Sequence, residues 1–181
     1  MKLMIASDIH GSAKWCGRML EAWRYEEPER LVLLGDILYH GPRNDLPEGY
    51  APKEVIAMLN GVSQHLLCVR GNCEAEVDQM VLSFPVMADY CVLFADGCTF
   101  YAAHGHILGE SSPPPMRPGD VLLCGHTHIP CFRRHEDFTY VNPGSVSIPK
   151  EGTPHSYITL EDGLVTWKDL EGGEFMRERI R

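Results

Sequence analysis

The chain has 181 residues, of which 44% are hydrophobic, and this length and composition are typical of one globular domain with a substantial core. Its 25 acidic and 16 basic side chains give a net charge of −9, and its longest basic run is Arg133-Arg134. We therefore expect no groove for a long nucleic acid. No apolar stretch approaches the ~18 residues that span a membrane, so we expect no membrane partner.

Cysteine usage and the first residues of the chain bear on its location. The seven cysteines form no Cys-x-x-Cys pair, and the apolar run before Ser7 and Asp8 is too short for the core of a signal peptide. An odd number of cysteines without a secretory signal is typical of a reducing compartment. We therefore expect a cytoplasmic protein in which most cysteines are small buried hydrophobes.

The first 72 residues alternate between strand and helix patterns. Residues 2–7, 30–36 and 65–72 are apolar runs typical of buried strands. Residues 13–27 show helical spacing, with Ser12 as the expected cap, and residues 52–63 predict a second helix that begins at Pro52. This β-α-β-α-β order predicts a parallel sheet with crossover helices.

The second half of the chain is richer in strand patterns. A short helix near residues 74–82 is followed by two strands whose Asp96-Gly97 junction predicts a hairpin. After a proline-rich loop at 110–120 come a buried strand at 121–128 and several strands joined by tight turns. No linker divides the chain, so we expect a single domain over residues 1–181, an α/β fold in which helices flank a β-sandwich.

Five polar motifs share one property, because each directly follows a hydrophobic strand pattern. In open α/β sheets, residues beyond the carboxyl ends of strands converge on one edge. Glycines beside several of these motifs permit sharp turns close to an ion. The motifs supply seven candidate ligands: Asp8, His10, Asp36, Asn72, His104, His126 and His128.

These seven ligands indicate a two-metal site. Taken alone, each motif is more often a turn or a helix cap, but five at strand ends favour metal binding. Seven oxygen and imidazole ligands are too many for one ion and suit two ions that share a carboxylate, with Mn²⁺, Fe or Zn²⁺ as the candidates. Two ions ~3.5–4 Å apart are the arrangement for in-line attack of a bridging hydroxide at phosphorus.

The ordered set DIHG, GD, GN, HGH and GHTH resembles the calcineurin-like metallophosphoesterases over nearly the whole chain. The segments GDILYHGPRNDLPEGYAP, RGNCE, GHTHIP and NPGSVSIPK are most similar to the small bacterial YfcE-type phosphodiesterases of that family. The resemblance implies a four-layer α-β-β-α sandwich, with two mixed sheets flanked by helices. It also implies hydrolysis of a small phosphodiester to a monoester and an alcohol.

The resemblance further implies an assignment of ligands to two ions, usually manganese in this subgroup. One ion would be held by Asp8, His10, Asp36 and His128. The other would be held by Asp36, Asn72, His104 and His126, with Asp36 as the bridge. The set of residues expected to act at the reacting centre is Asn72, Cys73, His104 and Arg43.

Cys73 departs from the pattern of the wider family, in which relatives with phosphatase activity often carry a phosphate-facing histidine after the asparagine. A thiol is a weaker hydrogen-bond donor than imidazolium, so we expect weaker transition-state stabilisation and an altered substrate range. Covalent catalysis by Cys73 is disfavoured, because no Cys/His signature accompanies it. Arg43 suits a phosphate oxygen, although a solvated loop residue is an equal alternative. Glu74 is expected to support the turn or to cap the next helix.

Competing functions remain at this stage. A phosphomonoesterase of the same family and a non-catalytic scaffold with the same fold are the first two, and Cys73 and the complete ligand set weigh against them. A nuclease acting on polymers is a third, which the acidic composition disfavours. The sequence leaves open whether His106 carries protons and whether the chain forms a homo-oligomer.

Overall fold

The fold is described from a computed structural model that covers residues 1–181. It contains three α-helices, namely α1 (Ala13–Glu26), α2 (Pro52–Asn60) and α3 (Glu76–Val81), and a 3-10 turn at Ser63–His65. Eleven strands follow in chain order: β1 (Leu3–Ala6), β2 (Arg30–Leu33), β3 (Leu66–Cys68), β4 (Tyr90–Ala95), β5 (Cys98–Ala103), β6 (Asp120–Leu123), β7 (Cys131–Arg134), β8 (Phe138–Asn142), β9 (Ser156–Glu161), β10 (Leu164–Asp169) and β11 (Glu174–Arg179). None of the helices has both the length and the apolar character that crossing a membrane requires.

The strands form two mixed sheets. The first has the order β11-β10-β9-β1-β2-β3 and the second β4-β5-β6-β8-β7. The predicted parallel pairing of β1, β2 and β3 is confirmed, as is the β4-β5 hairpin closed by Asp96 and Gly97. The chain returns to the first sheet late, because β9 pairs antiparallel with β1 and brings β10 and β11 with it.

Local sequence explains the two longer helices. The Ser12 hydroxyl accepts a hydrogen bond from the Trp15 amide at 3.2 Å, so the expected cap of α1 is confirmed. Helix α2 begins at Pro52, whose missing N–H would have no partner in a first turn. Both helices pack on one face of the first sheet, where Met4, Leu33 and Met19 belong to one buried cluster.

A second buried cluster lies between the two sheets. Alternation along each strand sends Leu3 and Ile5 of β1 to this side and Met4 to the helix side. Phe100 and Trp167 contribute two of the large side chains that fill the space between the sheets. The predicted sandwich of two mixed sheets with helices outside is therefore confirmed.

The outermost layer on the second sheet differs from the expectation of helices on both sides. All three helices precede β4 in the chain, and the outer face of the second sheet is covered instead by an irregular segment over residues 104–119. Leu108 and Met116 of this segment pack against Leu122 and Tyr140. The run Pro113-Pro114-Pro115 lies in this segment, and prolines remove the amide donors that a helix needs.

Candidate metal centre

The seven candidate ligands lie on short turns that follow five parallel-paired strands. Asp8 and His10 follow β1, Asp36 follows β2, and Asn72 follows β3. The second sheet supplies the histidines after β5 and β6. The carboxyl ends of these strands point to one edge of the sandwich, as expected for ligands in an open α/β sheet.

The backbone at these turns is strained. Five of the nine non-glycine residues with positive φ are candidate ligands: Asp8 (61°), His10 (48°), Asp36 (56°), His126 (67°) and His128 (64°). Such left-handed conformations cost of order 1 kcal/mol or more each and persist where the surroundings hold them. At Asp8 the Ser145 and Ser147 hydroxyls donate to the backbone carbonyl at 3.0 and 3.1 Å. More than half of these strained positions therefore coincide with the candidate ligands.

One group of ligand atoms surrounds Asp8. The Oδ1 atom of Asp8 lies 3.2 Å from His128 Nε2 and 3.6 Å from His10 Nε2. The two Nε2 atoms are 3.4 Å apart. All three side chains are buried.

A second group surrounds Asp36. Its Oδ2 atom lies 3.3 Å from His104 Nε2 and 3.6 Å from His10 Nε2, so this carboxylate contacts both groups. The His104 Nε2 atom is also 3.1 Å from Asn72 Oδ1 and 3.2 Å from His126 Nδ1. The structure thus brings all seven predicted ligand residues together.

Backbone carbonyls fix the orientation of three of these histidines. The Nδ1 atoms of His10, His104 and His128 lie 2.8, 2.7 and 2.6 Å from the carbonyl oxygens of Tyr39, Leu34 and Ile148. A carbonyl only accepts, so each Nδ1 carries a proton and each Nε2 atom is directed at the cluster, where it would present its lone pair to a bound metal. This arrangement is characteristic of metal-binding histidines.

The cluster fits a divalent cation. Asp8 Oδ1 is buried without a hydrogen-bond partner, and no lysine or arginine lies within 4.0 Å of either aspartate. Burial raises the pKa of Asp8, but the adjacent imidazoles of His10 and His128 outweigh burial and hold this pKa well below its ordinary value. Burial lowers the pKa of His104, yet the bond to Asp36 raises it to about 9. The ionised carboxylates therefore draw positive charge into the site.

Glu74 supports the site through the backbone. Its carboxylate is only 5% exposed and accepts the amide hydrogens of Asp36 at 2.9 Å, Ile37 at 2.7 Å and Gly71. Burial, followed by the nearby charge of Asp36, raises the pKa of Glu74. Of the two roles expected for Glu74, the turn support is confirmed, whereas Ala75 occupies the cap position of α3.

An open cavity of about 440 Å³ lies over the cluster. Its floor includes Asp36, Asn72, His126 and His128, and its walls come from the loop at residues 41–44 together with Cys73, Thr127 and Lys150. Only one lining residue is hydrophobic, so the cavity suits a small polar molecule. Lys150 and Thr127 were not singled out from the sequence: Lys150 follows no strand pattern, and Thr127 lies between the two candidate histidines of the GHTH motif.

Cys73 and Arg43 both line the cavity. The Cys73 thiol is half-buried, and its sulfur lies within 4.8 Å of ligand atoms of His10 and Asp36. Burial and then the charge of Asp36 raise the pKa of this thiol, so it is not a thiolate at neutral pH in the absence of metal. Arg43 is exposed and forms no salt bridge, which leaves its guanidinium free to meet an anion. The His106 ring lies 5.4 Å from that of His104 and does not line the cavity.

Comparison with known proteins agrees with this geometry. The family model described as the calcineurin-like phosphoesterase superfamily domain matches residues 1–162. The chain is 46% identical over 166 residues to the protein named Phosphodiesterase YfcE of Escherichia coli strain K12. The matched region covers 92% of this chain and 90% of that protein.

Solved structures give the same result. The structure described as YfcE, a phosphoesterase from E. coli, superposes with a TM-score of 0.96 and 43% identity, over 100% of both chains. A structure described as an archaeal phosphodiesterase has a TM-score of 0.60 at 21% identity, covers 99% of both chains, and shows similarity of fold alone. The chain belongs to the calcineurin-like phosphoesterase superfamily.

Proposed function

We propose that residues 1–181 form a single-domain, metal-dependent phosphodiesterase that hydrolyses small phosphodiesters. The observation that carries this proposal is the convergence of two buried carboxylates and four imidazoles beneath an open polar cavity. The similar protein from E. coli that is named a phosphodiesterase supports the diester as the substrate class. The cavity volume of about 440 Å³ supports a small substrate.

The ligand assignment is part of this proposal. Asp8, His10, Asp36 and His128 would hold one divalent ion, and Asp36, Asn72, His104 and His126 would hold the other. The position of Asp36 Oδ2 between His10 and His104 supports its role as the bridge. Manganese is our preferred metal, with zinc or iron as alternatives, because oxygen and imidazole donors suit all three.

The chain's own residues would bind and orient the phosphodiester. Bound divalent ions supply Lewis acidity and lower the pKa of a water towards ~7. Arg43, which has no carboxylate partner, would pair with a phosphoryl oxygen. Asn72 and His104 would hold the reacting centre from below, and the Cys73 thiol would face the phosphate as a weak hydrogen-bond donor.

A phosphomonoesterase is the closest alternative, and a substrate comparison separates the two. Protein with measured manganese content is assayed on bis-p-nitrophenyl phosphate and on p-nitrophenyl phosphate. We expect the higher kcat/KM for the diester, because Cys73 gives a weaker electrostatic contact to a dianionic phosphate than imidazolium would. A strong preference for the monoester would overturn the diesterase proposal.

A non-catalytic scaffold is the alternative from another class. If manganese-loaded protein hydrolyses no phosphodiester and Asp36→Ala leaves the bound metal unchanged, the scaffold explanation holds. We further propose a cytoplasmic location, supported by seven free cysteines, and self-association, supported by exposed apolar side chains on β4.

A further inference from the structure

The two sheets have four edge strands, and only one of them lacks protection against pairing with another chain. Edge strands are normally blunted by charge, proline or short length. Strand β11 carries two glutamates and two arginines, β7 ends in Arg133-Arg134, and β3 has three residues. Strand β4 has six residues, YCVLFA, with no charge and no proline.

Strand β4 also exposes a row of apolar side chains. Tyr90, Val92 and Phe94 alternate along the strand and are 51%, 36% and 76% exposed. They share the outer face of the second sheet, because Cys91 and Leu93 between them pack on the inner cluster. A monomer in water gains nothing from three adjacent apolar side chains on a free strand.

The same three residues carry the unpaired backbone groups of the edge. Asp96 and Gly97 both have positive φ (51° and 73°), as in a two-residue type I′ hairpin. In such a hairpin Ala95 and Cys98 form a hydrogen-bonded pair, and such pairs alternate along the ladder. The N–H and C=O groups of Tyr90, Val92 and Phe94 therefore point away from β5, and none of them bonds to a residue elsewhere in the chain.

The core between the sheets is open on this side of the molecule. Leu67 of β3 pairs with Val32, so its side chain points to the inner face of the first sheet. Val32 is completely buried, whereas Leu67 is 36% exposed. Cys91 and Leu93 are likewise only partly buried. Free backbone groups, outer apolar side chains and an open core thus occur together along β4.

We propose that β4 is the interface at which two copies of this chain pair antiparallel, across a two-fold axis at Val92. In this register Val92 lies opposite its own copy, and Tyr90 of each copy lies opposite Phe94 of the other, on the same face. The two five-stranded sheets become one ten-stranded sheet, and the unpaired backbone groups of both edges bond to each other.

Two properties favour a second copy as the occupant. An isologous contact requires a self-complementary surface, and the row Tyr90-Val92-Phe94 matches itself when it is reversed, with an aromatic residue at each end. Each copy has a net charge of −9, so two copies approach most readily where a strand carries no charge. The interface also continues the core, since Leu67, Cys91 and Leu93 lie at its inner side.

The test is sedimentation of the full chain over a range of concentrations, with and without manganese. We expect a dimer for the parent and a dimer dissociation constant raised about 30-fold or more in Val92→Lys, because two like charges would then face each other at the axis. The matched control is Phe175→Lys, which charges a 42% exposed side chain on the edge strand β11 and should leave the dimer unchanged. Circular dichroism verifies that each variant is folded.

A charge exchange tests the register itself. Tyr90→Lys and Phe94→Glu should each weaken the dimer when made alone, whereas the double variant should restore it, because each introduced charge then lies opposite its counterpart in the other copy. A monomeric parent, whatever other protein β4 binds, would overturn the proposal. A parent dimer unaffected by Val92→Lys, or singles that the double variant does not rescue, would overturn the interface or its register. None of these outcomes depends on phosphodiesterase activity.

Discussion

The buried carboxylate of Glu26, at the end of α1, and the buried carboxylates of Asp8 and Asp36, at the edge of the sandwich, have opposite kinds of partners. Glu26 lies 2.6 Å from both Lys2 Nζ and Lys168 Nζ, and the Tyr157 hydroxyl donates to it at 2.9 Å. Asp8 and Asp36 contact imidazoles that are fixed by carbonyls, and Asp8 Oδ1 has no hydrogen-bond partner.

This difference separates a structural carboxylate from a cation-binding one. A buried charge must be compensated, and Glu26 is compensated by the chain's own lysines. The aspartates have backbone strain around them and no lysine or arginine within 4.0 Å, so only imidazoles of the chain and a bound cation can compensate their charge. The comparison predicts that metal binding and activity depend on Asp8 and Asp36, whereas the stability of the metal-free chain depends on Glu26 and its lysines.

The largest expected effect comes from Asp36→Asn, which removes the carboxylate that contacts both groups of ligands. We expect loss of at least one bound metal and a fall in diester hydrolysis of about 10²–10³-fold or more. Metal analysis and steady-state kinetics on bis-p-nitrophenyl phosphate measure both effects. Asp137→Asn, a change of the same type at an exposed residue, should alter neither. Full metal content in Asp36→Asn would contradict the assignment of Asp36 as a cation-binding carboxylate, in contrast to the structural carboxylate of Glu26.

An intermediate effect is expected from Glu74→Gln, because Glu74 acts on the ligands through backbone amides. The amide group of glutamine would place a donor against one of the three N–H groups that the carboxylate now accepts. We expect metal affinity to fall about 10–100-fold. Isothermal titration calorimetry with manganese measures the change in metal affinity. Glu76→Gln on the exposed side of α3 is the control, and equal affinities in both variants would contradict the role of Glu74.

Much of the metal cluster could be predicted from the sequence because its signal is local. Each ligand directly follows an apolar strand run, and parallel strands deliver such ends to one edge, so Asp8, Asp36 and Asn72 need no knowledge of the distant chain. The role of Glu74 was only half predicted, because it accepts hydrogen bonds from residues 37 and 38 positions earlier.

The order of the late strands and the cavity wall at Lys150, which could not be predicted, depend on contacts between distant segments of the chain. The pairing of β9 with β1 joins residues more than 150 positions apart, and the order of late strands cannot be read from their periodicity. The cavity wall was likewise missed at Lys150, whose loop is placed by a bond from its amide to the His128 carbonyl at 3.3 Å. Periodicity predicts elements, whereas long-range pairing decides which loops meet over the metal cluster.

A smaller effect on activity is expected from Cys73→His, which changes the cavity wall without removing a carboxylate or imidazole of the cluster. Imidazolium is a stronger donor to a phosphoryl oxygen than a thiol, so we expect kcat for the diester to change by about 3–10-fold, or the preference between diester and monoester to shift, with full metal content. Cys73→Ser, which keeps a small neutral donor, is the control. Loss of metal in Cys73→His, or kinetics identical to the parent on both substrates, would count against this role.

Glu26→Gln is expected to have no effect on activity at neutral pH. Its expected effect is on the stability of the fold. Burial alone would raise the pKa of Glu26, but hydrogen bonds from Lys168, Lys2 and Tyr157 outweigh it and lower this pKa below 4.5. A carboxylate with a depressed pKa in the folded state stabilises that state above its unfolded pKa, and this contribution is lost as the pH falls through the folded pKa. At pH 7 we expect Glu26→Gln to lower the free energy of unfolding by about 1–3 kcal/mol.

Urea denaturation of the metal-free chain at a series of pH values measures this prediction, and the difference between parent and variant should shrink as the pH falls below about 4.5. Glu21→Gln is the control, because Glu21 is exposed on the same helix and its contact with Arg18 spans 3.5 Å, so its loss should cost less than about 1 kcal/mol. Manganese should raise the stability of parent and Glu26→Gln alike, by about 2.7 kcal/mol at a hundredfold excess over the dissociation constant. A variant at Glu26 that lost this manganese effect would show that the two carboxylate clusters are coupled through the sheet, since Glu26 has its own lysines and needs no cation from solution.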